Sequence, residues 1–304
     1  MNARSAKAEE LAAQLAIPAI VAPMFLVSGV ELVVASSQNG LLGTFPTLNA
    51  RTSETLDQWL GELSERLGGR PFGANLIVHK SNPRLREDLA LLVKHKVPLV
   101  ITSLGAVPDV VQAVQSYGGM VLHDVINIRH AQKAIEAGAD GLIAVAAGAG
   151  GHAGTLSPFA LTSEIRAFFN GPLALAGCIA HGRHVLASRA MGADFAYIGS
   201  HFIAAEESLA SDAQKRMMAE AQAKDIVYTD KVTGVGANFM RQSLEAAQLP
   251  DSHGAMDLSD EAKAWKTIWS AGQGIGATRT VRPAAEICRE LVAQYREAVS
   301  DLPV

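Results

Sequence analysis

The chain has 304 residues, of which 49% are apolar, 18% charged and 5% aromatic, with a formal net charge of −4. This apolar content supports the core of one large domain with a small appendage, whereas the low charge and few aromatic residues exclude disorder and nucleic-acid binding. Cys178 and Cys288 lie far apart, with neither metal-ligand nor redox spacing, which is typical of a reducing compartment. The N-terminal segment lacks a signal-peptide core, and no apolar run reaches the roughly 18 residues of a membrane span. We therefore expect a soluble, cytoplasmic protein.

From residue 18 to about residue 205, short apolar runs alternate with amphipathic segments. Eight such units, each a strand followed by a helix, predict a closed (β/α)8 TIM barrel, because an open doubly wound sheet more often has fewer strands. The candidate strands are Ala19–Met24, Leu41–Phe45, Phe72–Ile77, Leu99–Thr102, Met120–His123, Gly141–Ala146, Leu173–Ala176 and Phe195–Gly199. The candidate helices include Ser53–Leu67, Pro83–His95, Asn127–Ala137 and Arg183–Met191.

A Gly-Ala-Asp sequence occurs twice, at residues 138–140 and 192–194, each time between a helix and a strand. The glycine ends a helix and the aspartate precedes a buried strand. In a barrel, such turns lie at the end opposite the active site, so we expect Asp140 and Asp194 to be structural.

The alternation stops after residue 205, and the stretch to about residue 276 mixes apolar, glycine and charged residues. We interpret residues 206–276 as a small, mainly helical insertion or lid after strand 8. Residues 1–205 and 277–304 then form the barrel, whose closing helix begins near Pro283.

Residues 141–154 form a buried strand that runs into a loop of small residues containing His152. Glycines let the backbone approach a flat or phosphorylated ligand closely, and a histidine there can exchange protons near neutral pH. A flexible connection with an incidental histidine is the alternative.

Glycines also follow the last two strands, at Gly177 and at Gly199-Ser200. In TIM barrels the loops at these positions often bind phosphate, and a helix starting directly after each glycine would supply free N–H groups. Packing glycines are the alternative. Ser103 and Asp124 follow the fourth and fifth strands; they could line the ligand, but we favour the interpretation that they cap the next helices.

The chain resembles the nitronate monooxygenase family, FMN-dependent TIM-barrel enzymes formerly called 2-nitropropane dioxygenases. The resemblance extends over nearly the whole chain in consistent order. It rests on Ala22-Pro23-Met24, Gly73–Leu76, Gly148–Gly154, Leu175–Ala180, Tyr197–Phe202 and Ser270–Gly274.

The resemblance implies that His152 lies over the flavin beside the substrate and acts in catalysis. It implies that Ala22, Pro23, Met24 and the Asn75 side chain contact FMN, that Gly177, Gly199 and Ser200 hold its phosphate, and that Gln273 lies near the ribityl-phosphate end. The candidate cofactor site further includes Thr102, His123, Gly151, Ala176 and Cys178.

The implied reaction is oxidation of an alkyl nitronate by O2 to a carbonyl compound and nitrite. Two departures put the substrate in doubt: characterised nitronate oxidisers carry Gln-Gly-Gly-Met where this chain has Val21–Met24, and Gly-His-Pro-Gly where it has Gly151–Gly154. The alternative is an NAD(P)H-dependent reductase of quinones or enoyl thioesters, and a non-catalytic flavin-binding barrel is a third reading.

Other polar residues are harder to place. We expect His181, His184 and His201 at the surface, with phosphate contacts as the alternative. We leave open whether Tyr228, Trp269, Asn238 and Arg241 reach the site. No His, Cys, Asp or Glu group has metal-ligand spacing, so no metal is predicted. The oligomeric state stays open.

Overall fold

The computed structural model describes residues 6–247 and 264–302 of the chain. Within these residues eight parallel strands close a barrel in sequence order, which confirms the predicted (β/α)8 TIM barrel. The barrel strands are β1 (Ala19–Val21), β2 (Leu42–Pro46), β3 (Gly73–Ile77), β4 (Leu99–Ser103), β5 (Met120–Val125), β6 (Gly141–Val145), β8 (Leu173–Ala176) and β9 (Phe195–Ile198). A two-residue strand, β7 (Gly151–His152), lies outside the barrel wall.

The helices form where the sequence supplies both an apolar face and end signals. The helix Ser53–Leu67 begins after Thr52, whose hydroxyl accepts a hydrogen bond from the Thr55 N–H, and ends at Gly68 in a left-handed conformation, as capping preferences require. The described helices are α1 (Ala6–Ala13), α2 (Val30–Gln38), α3 (Ser53–Leu67), α4 (Leu85–Lys94), α5 (Pro108–Gln115), α6 (Ile128–Glu136), α7 (Pro158–Arg166), α8 (Gly182–Ala190), α9 (Asp212–Glu220), α10 (Arg241–Ala247) and α11 (Ala284–Asp301). Among the described residues, no helix is long and apolar enough to cross a membrane.

The barrel interior is filled by alternate residues of every strand. Ile20, Ile101, Leu122, Ile143 and Phe195 belong to one buried cluster, while the intervening residues pack against the helices. Because side chains alternate along a strand, the residues two further along β4 and β5, Ser103 and Asp124, also point inward. The inner face therefore changes from apolar to polar at the carboxyl ends of the strands.

The two Gly-Ala-Asp turns lie at the amino-terminal ends of strands, as predicted. Asp194 accepts a hydrogen bond from the Leu173 N–H at 2.9 Å and pairs with Arg166 at 2.7 Å. Asp140 accepts from the Val121 N–H at 2.8 Å and pairs with Lys7. Each carboxylate thus ties one strand start to its neighbour.

The segment inserted after β9, which we call the excursion, contains α9 and α10. It also contains an antiparallel pair of strands, β10 (Ile226–Thr229) and β11 (Ala237–Met240). The sequence analysis did not identify these strands. β11 pairs with β7, so the loop after β6 is joined to the excursion in a small three-stranded sheet. The division at residues 206 and 276 stays a prediction, and residues 248–263 of the excursion lie outside the described residues.

Candidate functional site

A cavity of about 1370 Å³ opens at the carboxyl ends of the barrel strands, where TIM barrels place their active sites. It brings together residues from the ends of six barrel strands and from the loops above them. Most of the predicted site lines it: Ala22, Pro23, Met24, Asn75, His123, Gly151, His152, Ala176, Gly177, Cys178, Gly199 and Ser200.

Thr102 and Gln273 do not line this cavity. Thr102 belongs to the outer face of β4, where its Oγ1 lies 2.7 Å from Nδ1 of His123. Burial lowers the pKa of His123 to about 4, so its ring is neutral at pH 7. Gln273 N–H donates to the Gly148 carbonyl at 2.9 Å, and its amide oxygen lies 3.8 Å from Cys178 Sγ. Both residues support cavity walls from behind.

The loop after β6 and the returning loop 270–274 interlock through close backbone contacts. A Cβ on Gly272 would lie 2.5 Å from the Gly148 carbonyl oxygen, and one on Gly150 would lie 2.8 Å from Gly272 N. Ser270 Oγ accepts from the Gly151 N–H at 2.6 Å. Glycine is required here because no side chain fits between the two loops where they meet.

His152 is positioned by the small sheet above the barrel. It pairs with Ala237 of β11, and the ring of Trp265 stands edge-on to its imidazole with centroids 5.7 Å apart. Tyr228 Oη donates to the Ala153 carbonyl at 3.2 Å, and the buried Asn238 amide donates to the Ala149 carbonyl at 2.6 Å. The excursion thus holds the histidine loop both before and after His152 along the chain.

The glycine turns after β8 and β9 differ from the prediction in one respect. The helix α8 begins at Gly182, and His181 caps its amino-terminal end by accepting a hydrogen bond from the Arg183 N–H. Gly199 leads into a three-residue 3₁₀ turn. Neither glycine is therefore followed directly by an α-helix. Cys178 instead adopts a left-handed conformation with φ of 59° and lines the cavity.

Ser200 joins the phosphate-loop candidates to the returning loop. Its Oγ accepts a hydrogen bond from the Gly272 N–H at 2.7 Å, which leaves its own hydroxyl hydrogen available to a ligand. After the neighbouring strand β1, which pairs with β9, Asn49 holds the following turn by donating to the Met24 carbonyl at 3.0 Å. The apolar surface of Ala22–Met24 is thereby fixed.

A line of hydrogen bonds crosses the cavity floor, where the sequence predicted helix caps. Asn75 Nδ2 donates to Ser103 Oγ at 2.7 Å, and Ser103 Oγ donates to Asp124 Oδ2 at 2.5 Å. The helices after these strands are instead preceded by Val107 and Asn127. The helix-cap prediction for Ser103 and Asp124 was therefore wrong, because both side chains point into the barrel.

Burial raises the pKa of Asp124 to about 6, partly opposed by the hydrogen bond from Ser103. Tyr197 of β9 lines the same floor, and burial together with the charge of Asp124 raises its pKa well above 10. We call Asn75, Ser103, Asp124 and Tyr197 the floor residues.

The remaining candidates have structural positions. His201 was expected at the surface but is buried, with Nδ1 3.1 Å from Thr278 Oγ1. His184 is exposed, as expected, and its Nδ1 accepts from the Ala180 N–H. Arg241 is exposed and donates to the Lys224 carbonyl, whereas Trp269 lines the cavity.

Sequence reasoning missed Trp265 as a site residue, and for Asp124 it preferred helix capping to a place in the site. Trp265 lies 113 positions after His152 in a stretch without periodicity, so no local signal connects the two. Asp124 did carry a signal, since a charged residue directly after a buried strand of a barrel lies at the active face.

The fold and this site define a TIM-barrel enzyme with its cavity at the carboxyl ends of the strands. The family model described as nitronate monooxygenase matches residues 84–294. The chain therefore belongs to the nitronate monooxygenase family, whose members are flavin-dependent oxidoreductases.

Individual relatives are distant but cover most of the chain. It is 28% identical to a nitronate monooxygenase of Pseudomonas aeruginosa, over 92% of this chain and 96% of that protein. It is 26% identical to an octahydro-indene-carboxyl-CoA dehydrogenase of Rhodococcus jostii, over 75% of this chain and 63% of that protein. The solved nitroalkane oxidase of Streptomyces ansochromogenes superposes with a TM-score of 0.86 and 25% identity, covering 96% and 99% of the two chains.

Proposed function

We propose that this enzyme binds FMN and oxidises alkyl nitronates with O2 to a carbonyl compound and nitrite. The observation that carries the proposal is the convergence of His152, the glycine turns after β8 and β9, and the polar floor on one cavity. We further propose that it acts in the cytoplasm, since both cysteines are free thiols.

The lining of the cavity suits a flavin mononucleotide. Both amide hydrogens of Asn75 are used, by the Ile101 carbonyl and Ser103 Oγ, so Asn75 offers a ligand its carbonyl oxygen. That oxygen matches the imide N–H of a flavin, and the Ala22–Met24 surface suits a flat ring. The Ser200 hydroxyl and the backbone at Gly177 and Gly199 would hold the phosphate.

FMN, when bound, would accept electrons from the nitronate and pass them to oxygen. The chain's own residues orient the substrate and manage protons. His152 is held above the floor by β11 and Trp265; as an imidazolium it would attract the nitronate anion. As a neutral imidazole it would remove the α-proton of a nitroalkane.

One observation favours a second candidate, an NAD(P)H-dependent reductase of quinones or enoyl thioesters. The cavity volume of about 1370 Å³ exceeds the roughly 300–1,000 Å³ that is usual for one small ligand. The relative from Rhodococcus jostii is named for a CoA thioester. A nicotinamide or thioester chain would fill the additional space.

An anaerobic titration followed by absorbance tests these proposals together. Purified protein reconstituted with FMN is mixed with propyl-2-nitronate and, separately, with NADPH. Bleaching of the flavin by the nitronate, followed by nitrite release when air is admitted, supports nitronate oxidation. Rapid bleaching by NADPH alone supports the reductase, and a protein that binds no FMN contradicts both.

A further inference from the structure

The carboxylate of Asp124 is the most unusual group on the cavity floor. Its Oδ2 accepts from Ser103 Oγ at 2.5 Å. Its Oδ1 is buried and makes no hydrogen bond to any residue that the structure describes. An unpaired buried acceptor costs free energy, so the charged form of Asp124 is destabilised. Other atoms of Asp124 line the cavity.

No cation offsets the charge of Asp124 within the described residues. Burial is the main cause of its raised pKa, and the hydrogen bond from Ser103 is the opposing cause. Of the other floor residues, Tyr197 is the titratable one, and the charge of Asp124 disfavours its ionisation. At pH 8, above its pKa of about 6, Asp124 is therefore an uncompensated negative charge facing the cavity.

Asp124 lies near the Asn75 side chain, whose carbonyl oxygen suits the imide N–H of a flavin's pyrimidine ring. The Ser103 hydroxyl links it to Asn75 through two consecutive hydrogen bonds. A flavin whose imide N–H meets the Asn75 carbonyl oxygen thus has the Asp124 carboxylate next to the same ring. This placement rests on the proposed FMN site.

We propose that Asp124 lies beside the pyrimidine ring of bound FMN and, as a carboxylate, makes the protein bind reduced flavin less tightly than oxidised flavin. Two-electron reduction with uptake of one proton leaves a negative charge on that ring. A fixed negative charge nearby opposes the added charge, and the opposition is strong where water is excluded. Asp124 therefore lowers the reduction potential of the flavin and is a redox-tuning residue.

The test compares the wild-type holoenzyme with Asp124→Asn, which keeps the shape and removes the charge. Dissociation constants of oxidised and reduced FMN are measured anaerobically at pH 8, and the two-electron potential is measured against a reference dye. We expect the variant to favour reduced FMN at least about tenfold more than wild type does, which equals a positive shift of about 30 mV. Glu65→Gln, which removes a charge from the exposed face of α3, should change neither quantity.

Asp124→Ser provides a second neutral side chain and should shift the potential in the same direction, which protects the test against a folding defect in one variant. An unchanged ratio of dissociation constants in both variants, with FMN bound, overturns the role of Asp124 and leaves the proposed function standing. A wild-type protein that takes up no FMN overturns the proposed function and this inference with it.

Discussion

The two ends of the barrel use the same residue type in opposite ways. At the amino-terminal ends of the strands, Asp140 and Asp194 each accept a backbone N–H and pair with a cation. At the carboxyl-terminal ends, Asp124 receives one hydroxyl and no cation from the described residues. At the amino-terminal end the carboxylates stabilise the fold, whereas at the carboxyl-terminal end one carboxylate faces a cavity.

This contrast shows that the environment of an aspartate, and not its place beside a strand, decides its role. A paired buried carboxylate stabilises the fold, and its removal leaves the charge of its partner without compensation. An unpaired one destabilises the fold and is retained where a ligand can use it. The following predictions test the contrast, from the largest expected effect to the smallest.

Replacing His152 by Ala should lower the turnover number with propyl-2-nitronate by at least about 100-fold, because proton transfer by a positioned side chain contributes on that order. FMN content should not change, since His152 belongs to the loop above the floor. The measurement is steady-state nitrite release together with the flavin absorbance. His79→Ala, an exposed site outside the cavity lining, serves as the control, and a yellow His152 variant with full activity would contradict the assignment.

At the opposite end of the barrel, Asp194→Asn should lower the free energy of unfolding by about 3 kcal/mol, because it leaves the charge of Arg166 without its buried partner. Asp140→Asn should cost less, about 1 kcal/mol, since the Lys7 side chain is 56% exposed. Urea titrations at pH 7 compare the two variants. Equal losses would show that the cations do not set the stability of this end.

Asp124→Asn should have the opposite sign and stabilise the apoprotein at pH 8 by about 2 kcal/mol. Its folded pKa of about 6 lies above the ordinary value of 3.8, so the folded state binds the proton more tightly. The contribution of protonated Asp124 to the free energy of unfolding of the wild type is therefore lost as the pH rises from about 4 to about 6, and this loss is complete above pH 6. Urea titrations at both pH values measure the difference, which should vanish near pH 4; a variant less stable than wild type at pH 8 would refute the sign.

The smallest effect is expected at Cys178, whose φ of 59° is unfavourable for a residue with a side chain. Cys178→Gly should raise the free energy of unfolding by about 1 kcal/mol by removing this strain. Gly177→Ala is the matched opposite, because its φ is 130° and a Cβ would lie 2.9 Å from the Ala147 carbonyl oxygen. Thermal unfolding of both variants checks the pair, and a gain from Gly177→Ala would contradict the backbone argument.

Much of the fold could be predicted because its signals are local. Leu173–Ala176 and Ser53–Leu67 were predicted with the observed bounds, since apolar runs and helix caps act over a few residues. The strands β10 and β11 were missed because β11, the middle strand of the small sheet, pairs with β7 across a wide gap in sequence. Their pattern alone does not distinguish them from loop.

The sequence by itself determined the eight-fold alternation, the structural aspartates before β6 and β9 and the glycine loop that carries His152, because periodicity, turn residues and buried runs act locally. Only the tertiary structure decided that Trp265 stands against His152 and that Ser103 and Asp124 meet on the cavity floor. Barrel closure brings together the ends of strands that are distant along the chain. The partners that a side chain gains there, and hence its charge and use, cannot be read from its neighbours in sequence.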